Sequence, residues 1–424
     1  MGPASSPHVL IIGAGLGGMT LAQTLRKQGI TFEIFEREEN DDARQQGWVI
    51  GLHGYGLSTF FMFPSHMEDA DPFHSMLDDL KASIPDDMPP IAQVNHLLPL
   101  DYAVEFAWYS LSGVPDAGKV GVRDDGSGNI IRAPRRRLRQ WLSTNILIQW
   151  GKRAARIEED KESVTVYFED GSSARGDILI GAEGARSTTR NHILKGQDPI
   201  PRAATGVVGG TCTLSGQDLE EQLRLGHSCY LVDMPPVHGS PMFLFVALHE
   251  MLPDGKAGEY CFFIMWPDVD AARDDFWTWN AGGEQLRDFA MQKSRELPAK
   301  FRTVIESSTP MESPLRFWAL AMDSLPTGRI TLLGDAAHAM PPFRGEGGYH
   351  ALQDALNLSR AIAKIDKDDN ENIKELFGGY QAEMLERGAK ASRLSAAAFS
   401  QSWDSEDSGA HYSWGQPVVP FPED

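Results

Sequence analysis

The chain has 424 residues, enough at about 150 residues per domain for two or three domains, or for one fold with a second inserted into it. Apolar residues make up 42% and charged residues 23%, a globular mix that excludes wholesale disorder, a fibrous repeat and a disulfide scaffold. Lysine and arginine total 39 against 59 aspartates and glutamates, a net charge of −20, and such a surface repels phosphate backbones and anionic lipid, so neither nucleic acid nor a membrane is expected as a partner.

The elements follow in chain order. Val9 to Ile12 is a short apolar run closed by glycine and reads as a buried strand. Met19 to Gln28 has helical spacing and stops at Gly29, a C′ glycine. Thr31 to Glu36 is a second strand, which completes a parallel strand–helix–strand unit. The glycines that interrupt His8 to Leu25, and the lack of a basic start, argue against a signal peptide.

Residues 64–100 are rich in proline and aspartate and read as an excursion. Arg135 to Trp150 is expected as one helix with Leu138, Leu142 and Ile146 on a stripe. Val164 to Phe168 and Asp177 to Gly181 are strands. Ser228–Met234, Met242–His249 and Glu259–Trp266 alternate as an antiparallel sheet. Arg329 to Leu333 is one more buried strand, and Gly348 to Ala363 a helix. Residues 372–400 read as an amphipathic covering helix.

Two stretches carry chemistry. Gly13-Ala-Gly15-Leu16-Gly17-Gly18 joins the first strand to the first helix, where glycine is needed for the tight turn, for approach to a pyrophosphate and for helix packing. The helix N-terminus presents free N–H groups to phosphate. Glu36, followed by Arg37, ends the second strand and can accept both ribose hydroxyls of an adenosine, while repelling a 2′-phosphate. This loop alone leaves FAD and NAD equally open. The second stretch runs Gly334-Asp335-Ala-Ala-His338 through Pro341, Pro342, Arg344, Gly345, Gly347 and Gly348. A long cofactor laid across the sheet needs such a second anchor, and Asp335 suits the hydroxyls of a ribityl chain. That decides for FAD.

With these motifs, and with Asp177-Ile-Leu-Ile-Gly181-Ala-Glu183-Gly184-Ala-Arg186-Ser187-Thr-Thr-Arg190 between them, the chain resembles the single-component FAD-dependent aromatic hydroxylases. These are the para-hydroxybenzoate-hydroxylase-like flavoprotein monooxygenases. The likeness spans about residues 8–365 and is greatest to salicylate-hydroxylase-like and fungal secondary-metabolism members. The third motif there serves both FAD and NAD(P)H, and Glu183 stands where the family usually has Asp. Arg44 with Gly47 matches an arginine following the second strand, and Arg135 the arginine that opens the cofactor-flanking helix.

The resemblance implies an α/β fold: an FAD-binding Rossmann-like domain of the glutathione-reductase type, an inserted antiparallel β-sheet substrate domain and C-terminal helices. The expected division gives 1–75, 100–195 and 320–365 to the FAD domain, 76–99 and 196–319 to the substrate domain, and 366–424 to a helical segment. It further implies that NAD(P)H binds transiently and reduces FAD. A C4a-hydroperoxide then delivers one oxygen atom from O2 to an aromatic or conjugated small molecule, a secondary metabolite, by hydroxylation or epoxidation. Baeyer–Villiger oxygenation, a flavin oxidase and a non-catalytic flavin-binding protein are the alternatives. Three cysteines, Cys212, Cys229 and Cys261, show no zinc spacing and fit a reduced, cytoplasmic setting, with the protein a monomer or homodimer.

No catalytic side chain is identified. His338 invites a general-base role, but packing or hydrogen bonding at the start of its loop is the preferred reading. Arg344 and Glu346 either pair with each other or line the flavin. Trp266, Phe276, Trp277 and Trp279 wall a substrate pocket or, as preferred, belong to the core. Tyr230, His249 and Arg316 are candidates to orient a substrate hydroxyl.

Overall fold

A computed structural model describes residues 6–41, 43, 49–53, 72–94, 104–109, 120–122, 130–197, 202–226, 229–237, 240–310 and 315–397. Strand β1 (Val9–Ile12) is buried at every position, as a run of four branched or long aliphatics between two layers demands. Helix α1 (Leu16–Gln28) starts inside the glycine loop, three residues before its expected first residue, and ends at Gly29 in the left-handed region, φ 71°. Strand β2 (Phe32–Phe35) lies parallel to β1.

After β3 (Val49–His53), α2 (Pro72–Ser83), β4 (Val104–Tyr109), β5 (Val120–Val122) and β6 (Ile130–Pro134) come α3 (Arg135–Leu142) and β7 (Ile148–Gln149). The single helix expected over Arg135 to Trp150 is therefore two elements. Ser143 and Thr144 turn their hydroxyls onto the carbonyls of Gln140 and Trp141, at 2.7 Å each, and Asn145 takes φ 58°. Short polar side chains that bond back to the backbone, followed by a left-handed residue, end a helix whatever the apolar stripe suggests. Leu147 is left 87% exposed.

A three-stranded antiparallel sheet follows, β8 (Ala154–Glu159), β9 (Val164–Phe168) and β10 (Ser173–Gly176), then β11 (Ile178–Gly181) and α4 (Thr188–Ile193). The central parallel sheet is completed far along the chain by β17 (Ile330–Leu332), giving the order β17-β11-β1-β2-β7. Helices α9 (Asp335–His338), α10 (Gly347–Ile362) and α11 (Asn370–Ala397) end the described chain.

The intervening elements are β12 (Thr205–Ser215), α5 (Gly216–Leu225), β13 (Cys229–Val237), β14 (Ser240–Met251), β15 (Ala257–Pro267), α6 (Trp277–Asn280), α7 (Gly283–Lys293), α8 (Ala299–Glu306) and β16 (Thr309–Pro310). They form a seven-stranded sheet, β16-β12-β15-β14-β13-β4-β5, which is antiparallel except that β4 runs parallel to β13. Two segments lie elsewhere than expected. Strands β4 and β5, within 100–195, join this larger sheet. Met76, Leu77, Leu80, Ile84, Ile91 and Val94, within 76–99, pack into the core of the parallel sheet beside α1 and α10. Both shifts have one cause: an excursion is judged by composition, whereas its partners are chosen by which apolar face it completes.

Leu332, wholly buried in β17, should be expensive to truncate. Leu332→Ala is expected to lose about 2–5 kcal/mol in urea denaturation, while Leu147→Gln at the exposed site should change stability by under about 0.5 kcal/mol.

Candidate functional site

Three motifs remote in sequence meet at the carboxyl ends of β1, β11 and β17, the crevice where doubly wound sheets bind ligands. Gly13 has φ 108°, and a Cβ there would lie 2.4 Å from the Ala182 carbonyl oxygen, so the glycine loop abuts the third motif. A Cβ on Gly17 would lie 2.5 Å from Leu333, beside the second motif. A Cβ on Gly18 would lie 2.0 Å from the Gly13 oxygen. Gly15 differs from all of these. Its φ of −76° suits any residue, and a Cβ would meet nothing within 4 Å. Its bareness leaves space on the open side of the loop, which is what approach of a pyrophosphate needs. Leu16 follows as the first residue of α1 and is buried.

Glu36 closes the turn from beneath. Its Oε2 accepts from Ala14 N–H at 2.8 Å and its Oε1 from Glu38 N–H at 3.2 Å. The side chain thus sits at the loop, as a ribose-binding carboxylate must. Arg37 pairs with Glu38 at 3.4 Å. One residue that the sequence did not single out also holds this loop. Arg139, 3% exposed, donates from Nε to the Ala14 carbonyl at 3.0 Å and lies 5.2 Å over the Trp150 ring. In the run Arg135 to Arg139 nothing but helix phase distinguishes it. Arg44 and Gly47 lie outside the described residues.

Asp335 opens α9 next to Gly334, φ 61°. Its side chain is accessible, yet protein surrounds it densely and the loss of solvation raises its carboxyl pKa. The two facts agree in a concave site reached from one open side. Arg135, the first residue of α3, and His338 draw the pKa back down, while Asp354 adds to the rise. A Cβ on Gly347 would come 4.0 Å from Asp335 Oδ1, so the start of α10 faces this carboxylate. A Cβ on Gly348 would come 3.5 Å from the Ile50 side chain, and Gly345 takes φ 67° after the short turn Pro342–Arg344. Open backbone at Gly15, a ribose-type carboxylate at Glu36 and a second carboxylate at Asp335 beside a helix N-terminus together fit an extended dinucleotide carrying a polyol chain.

Glu183 is engaged within the protein. It accepts from Ser187 Oγ at 2.6 Å, Thr189 N–H at 2.9 Å and Thr189 Oγ1 at 2.8 Å, and Ser187 in turn caps α4 by accepting from Arg190 N–H at 3.0 Å. Burial nevertheless raises its pKa against these donors. Arg344 and Glu346 form a bidentate ion pair, 3.1 and 2.8 Å, which decides between the two readings of that pair. His338 is 1% exposed and bonds Asp354 at 2.6 Å, so it takes the packing and hydrogen-bonding role.

The aromatic residues of the large sheet divide by sheet face, and Trp266, Phe276, Trp277 and Trp279 take the preferred core reading. Tyr230, Trp266 and Phe276 lie in the core between the large sheet and helices α5, α7 and α8, and Tyr230 donates to Gln222 Oε1 at 2.5 Å. Tyr230 is therefore not free to orient a substrate. Trp277 and Trp279 pack against the same core. Strand alternation puts Phe243, Phe245, Phe263 and Met265 on the opposite face, with Phe245 and Phe263 stacked at 6.1 Å. A Cβ on Gly209 would touch both Phe263 and Leu315, and two residues beyond Leu315 Phe317 meets Phe343 edge-on at 5.5 Å, so this face leads to the second motif. His249 lies half-buried beside Glu250 and Glu259, with its pKa lowered by burial.

The FAD binding domain family matches residues 135–395, and an NAD(P)-binding Rossmann-like family matches residues 11–79. The FAD-dependent monooxygenase thnD of Trichoderma harzianum is 42% identical over 403 residues, 92% of each chain. The chain belongs to the FAD-dependent aromatic hydroxylase family. It is a flavoprotein monooxygenase, an oxidoreductase with FAD as its cofactor. Salicylate hydroxylase of Pseudomonas putida is 29% identical over 277 residues, 64% of this chain and 60% of the relative. The fold is that of a salicylate hydroxylase substrate complex, TM-score 0.65 at 20% identity over 99% of this chain and 92% of that one. It is equally that of an FAD-containing monooxygenase from Photorhabdus luminescens, TM-score 0.68 at 22% identity over 93% and 99%. Among the described residues no helix is long and apolar enough to cross a membrane.

The glycine geometry separates ligand space from folding space. Gly15→Val should leave the apoprotein within about 1 kcal/mol of wild-type stability yet abolish retention of FAD. Gly18→Val should lose both. Thermal melts of apoprotein, with flavin release from the purified protein, distinguish the two.

His338 and Asp354 also predict a pH dependence. Burial works against the charge of each, but their pairing outweighs it, so His338 is raised above 6.5 and Asp354 is lowered below 3.8. The Asp354 contribution is present above 3.8 and is lost as pH falls through its depressed pKa. The His338 contribution is present below 6.5 and is lost as pH rises through its raised pKa. The stability gap between wild type and His338→Gln should thus be widest between about pH 4 and 6.5 and should narrow as the pH is raised from there through the elevated His338 pKa, as a pH series of melts will show.

Proposed function

We propose that the protein uses NAD(P)H and O2 to insert one oxygen atom into an aromatic or conjugated small molecule, a secondary metabolite, by hydroxylation or epoxidation. One observation carries the reductant. Arg186, in the third motif, lies 5.2 Å over the Trp318 ring, and Arg316 lies 5.8 Å from that ring and 3.7 Å over Trp279. Arg202 and Arg316 both ion-pair with Asp274, which is 82% exposed. Burial first, then Arg202 and Arg186, lowers the Arg316 pKa while Asp274 opposes them. Two guanidiniums on one exposed carboxylate, with Arg186 close enough to Arg316 to act on its charge, make a local positive field suited to dinucleotide phosphates in a chain of net charge −20.

FAD, when bound, would supply the redox chemistry and the activation of oxygen. The residues supply everything else. Gly15 and the N-terminus of α1 would receive the pyrophosphate, and Glu36 the adenosine ribose. Asp335 would accept from the ribityl hydroxyls, and the N-terminus of α10 would stabilise negative charge on the reduced ring by about 0.3–1 kcal/mol. The apolar wall of Phe243, Phe245, Phe263 and Met265 supports a flat, electron-rich substrate and would keep water from it. The salicylate hydroxylase among the relatives supports the same substrate class.

The test is substrate-stimulated NAD(P)H consumption across a panel of phenols and conjugated polyketides. Arg316→Gln is expected to raise KM for NAD(P)H about tenfold, the loss of one charge-assisted contact, with FAD content unchanged. Wild-type KM in this variant would remove the arginine cluster from the reading, and no consumption with any substrate would remove the activity.

A further inference from the structure

The turn that carries Asp335 is held from behind by a buried carboxylate on another helix. Asp354, on α10, has no exposed surface. Its Oδ2 accepts from the Gly334 N–H at 2.7 Å and from His338 Nε2 at 2.6 Å. Those are the residue before Asp335 and the last residue of the turn that it opens. Its Oδ1 accepts from Arg387 Nη2 at 2.7 Å, which brings in α11. Arg387 is itself fixed by Glu383 at 2.6 Å and His350 at 2.8 Å.

Helix α11 touches the same segment along one stripe. Gly388 is bare where a Cβ would come 2.4 Å from the His338 ring. Ser392 Oγ donates to the Ala339 carbonyl at 3.0 Å, and Ser395 Oγ donates to the Pro341 carbonyl at 2.6 Å. Tyr380 OH donates to the Leu332 carbonyl at 2.9 Å. From the end of β17 to Pro341, the backbone of the second motif is thus bonded to a helix outside the glycine-rich sequence.

A buried ion pair is a poor route to stability, because apolar residues of the same shape serve as well or better. What Asp354 offers that an apolar side chain cannot is three directed acceptor contacts, two of them bracketing Asp335. We propose that Asp354, held by Arg387, is a positioning residue of the cofactor site: it fixes both ends of the turn bearing Asp335 and so sets where that carboxylate meets FAD. The inference rests on the assignment of Asp335 as the second anchor. It makes α11 part of the cofactor site and not a cover over it.

The experiment titrates apoprotein with FAD, well below every melting temperature, and reads the dissociation constant by quenching of flavin fluorescence together with the positions of the bound flavin's absorption bands. Asp354→Asn keeps the shape but removes the charge and turns one acceptor oxygen into a donor NH2, and is expected to weaken FAD binding by about ten- to a hundredfold and to shift the bands. Arg387→Met should do likewise. Arg387→Lys should recover most of the affinity, since the charge beside Asp354 returns. Lys374→Gln, at an exposed pair on the same helix, is the control and should match wild type. If Asp354→Asn or Arg387→Met lowers the melting temperature while FAD affinity and spectrum stay at wild type, the pair is merely structural and the proposal is overturned. Should Asp354→Asn not fold, the contrast of Arg387→Met with Arg387→Lys decides alone. Failure of the wild-type apoprotein to take up FAD would remove the anchor assignment and this inference together. Wild-type uptake with unaltered variants would remove this inference only.

Discussion

The first turn of α1 leaves no room for a side chain at Gly18, because the Gly13 carbonyl occupies the place a Cβ would take. Much of the site depends on that contact. It pulls the helix N-terminus down onto the end of β1, so that the loop between them must fold tightly and turn its N–H groups outward. Gly13 is in turn pressed against Ala182, and Gly17 against Leu333, so the same close approach draws in the ends of β11 and β17. The ends of β1 and β11 meet backbone to backbone at Gly13 and Ala182, while the Leu333 side chain after β17 fills the space left by Gly17. Glycine is the residue that permits it.

This explains which parts of the fold could be read from residues alone. A short apolar run, a glycine cluster and a helical stripe follow one another from Val9 to Gln28, and each step is a local signal with a local cause. The Gly334-Asp335 segment is legible for the same reason. Residues 143–149 are not, because the apolar stripe continues past the point where Ser143 and Thr144 bind their own backbone. Tyr230 shows a different limit. Alternation says that neighbours in a strand point to opposite faces, but not which face the helices cover.

The least legible part is the support behind the motifs. Asp354, Arg387, Ser392 and Ser395 look in sequence like ordinary polar positions on amphipathic helices. Their meaning depends on partners on other elements: Gly334, His338, Ala339 and Pro341. Arg139 is hidden in the same way among its neighbouring arginines, and only its bond to the Ala14 carbonyl distinguishes it. Residues that would touch a cofactor carry a recognisable pattern, while those that aim them carry almost none.

The bonds from α11 to the second motif also have a consequence for the order of assembly. The glycine loop at Gly13 is synthesised well before the serine that secures Pro341, which lies 382 residues further on, 395 less 13. Between them the chain builds the seven-stranded sheet and returns. A nascent chain holding only the first motif has half a cradle, with an acidic carboxylate at Glu36 and no opposing strand end. Capture of flavin therefore waits until α11 is in place. A flavin-loaded molecule is one whose synthesis has passed α11, so the yellow colour of a preparation reports chains that carry this helix and not merely the first motif.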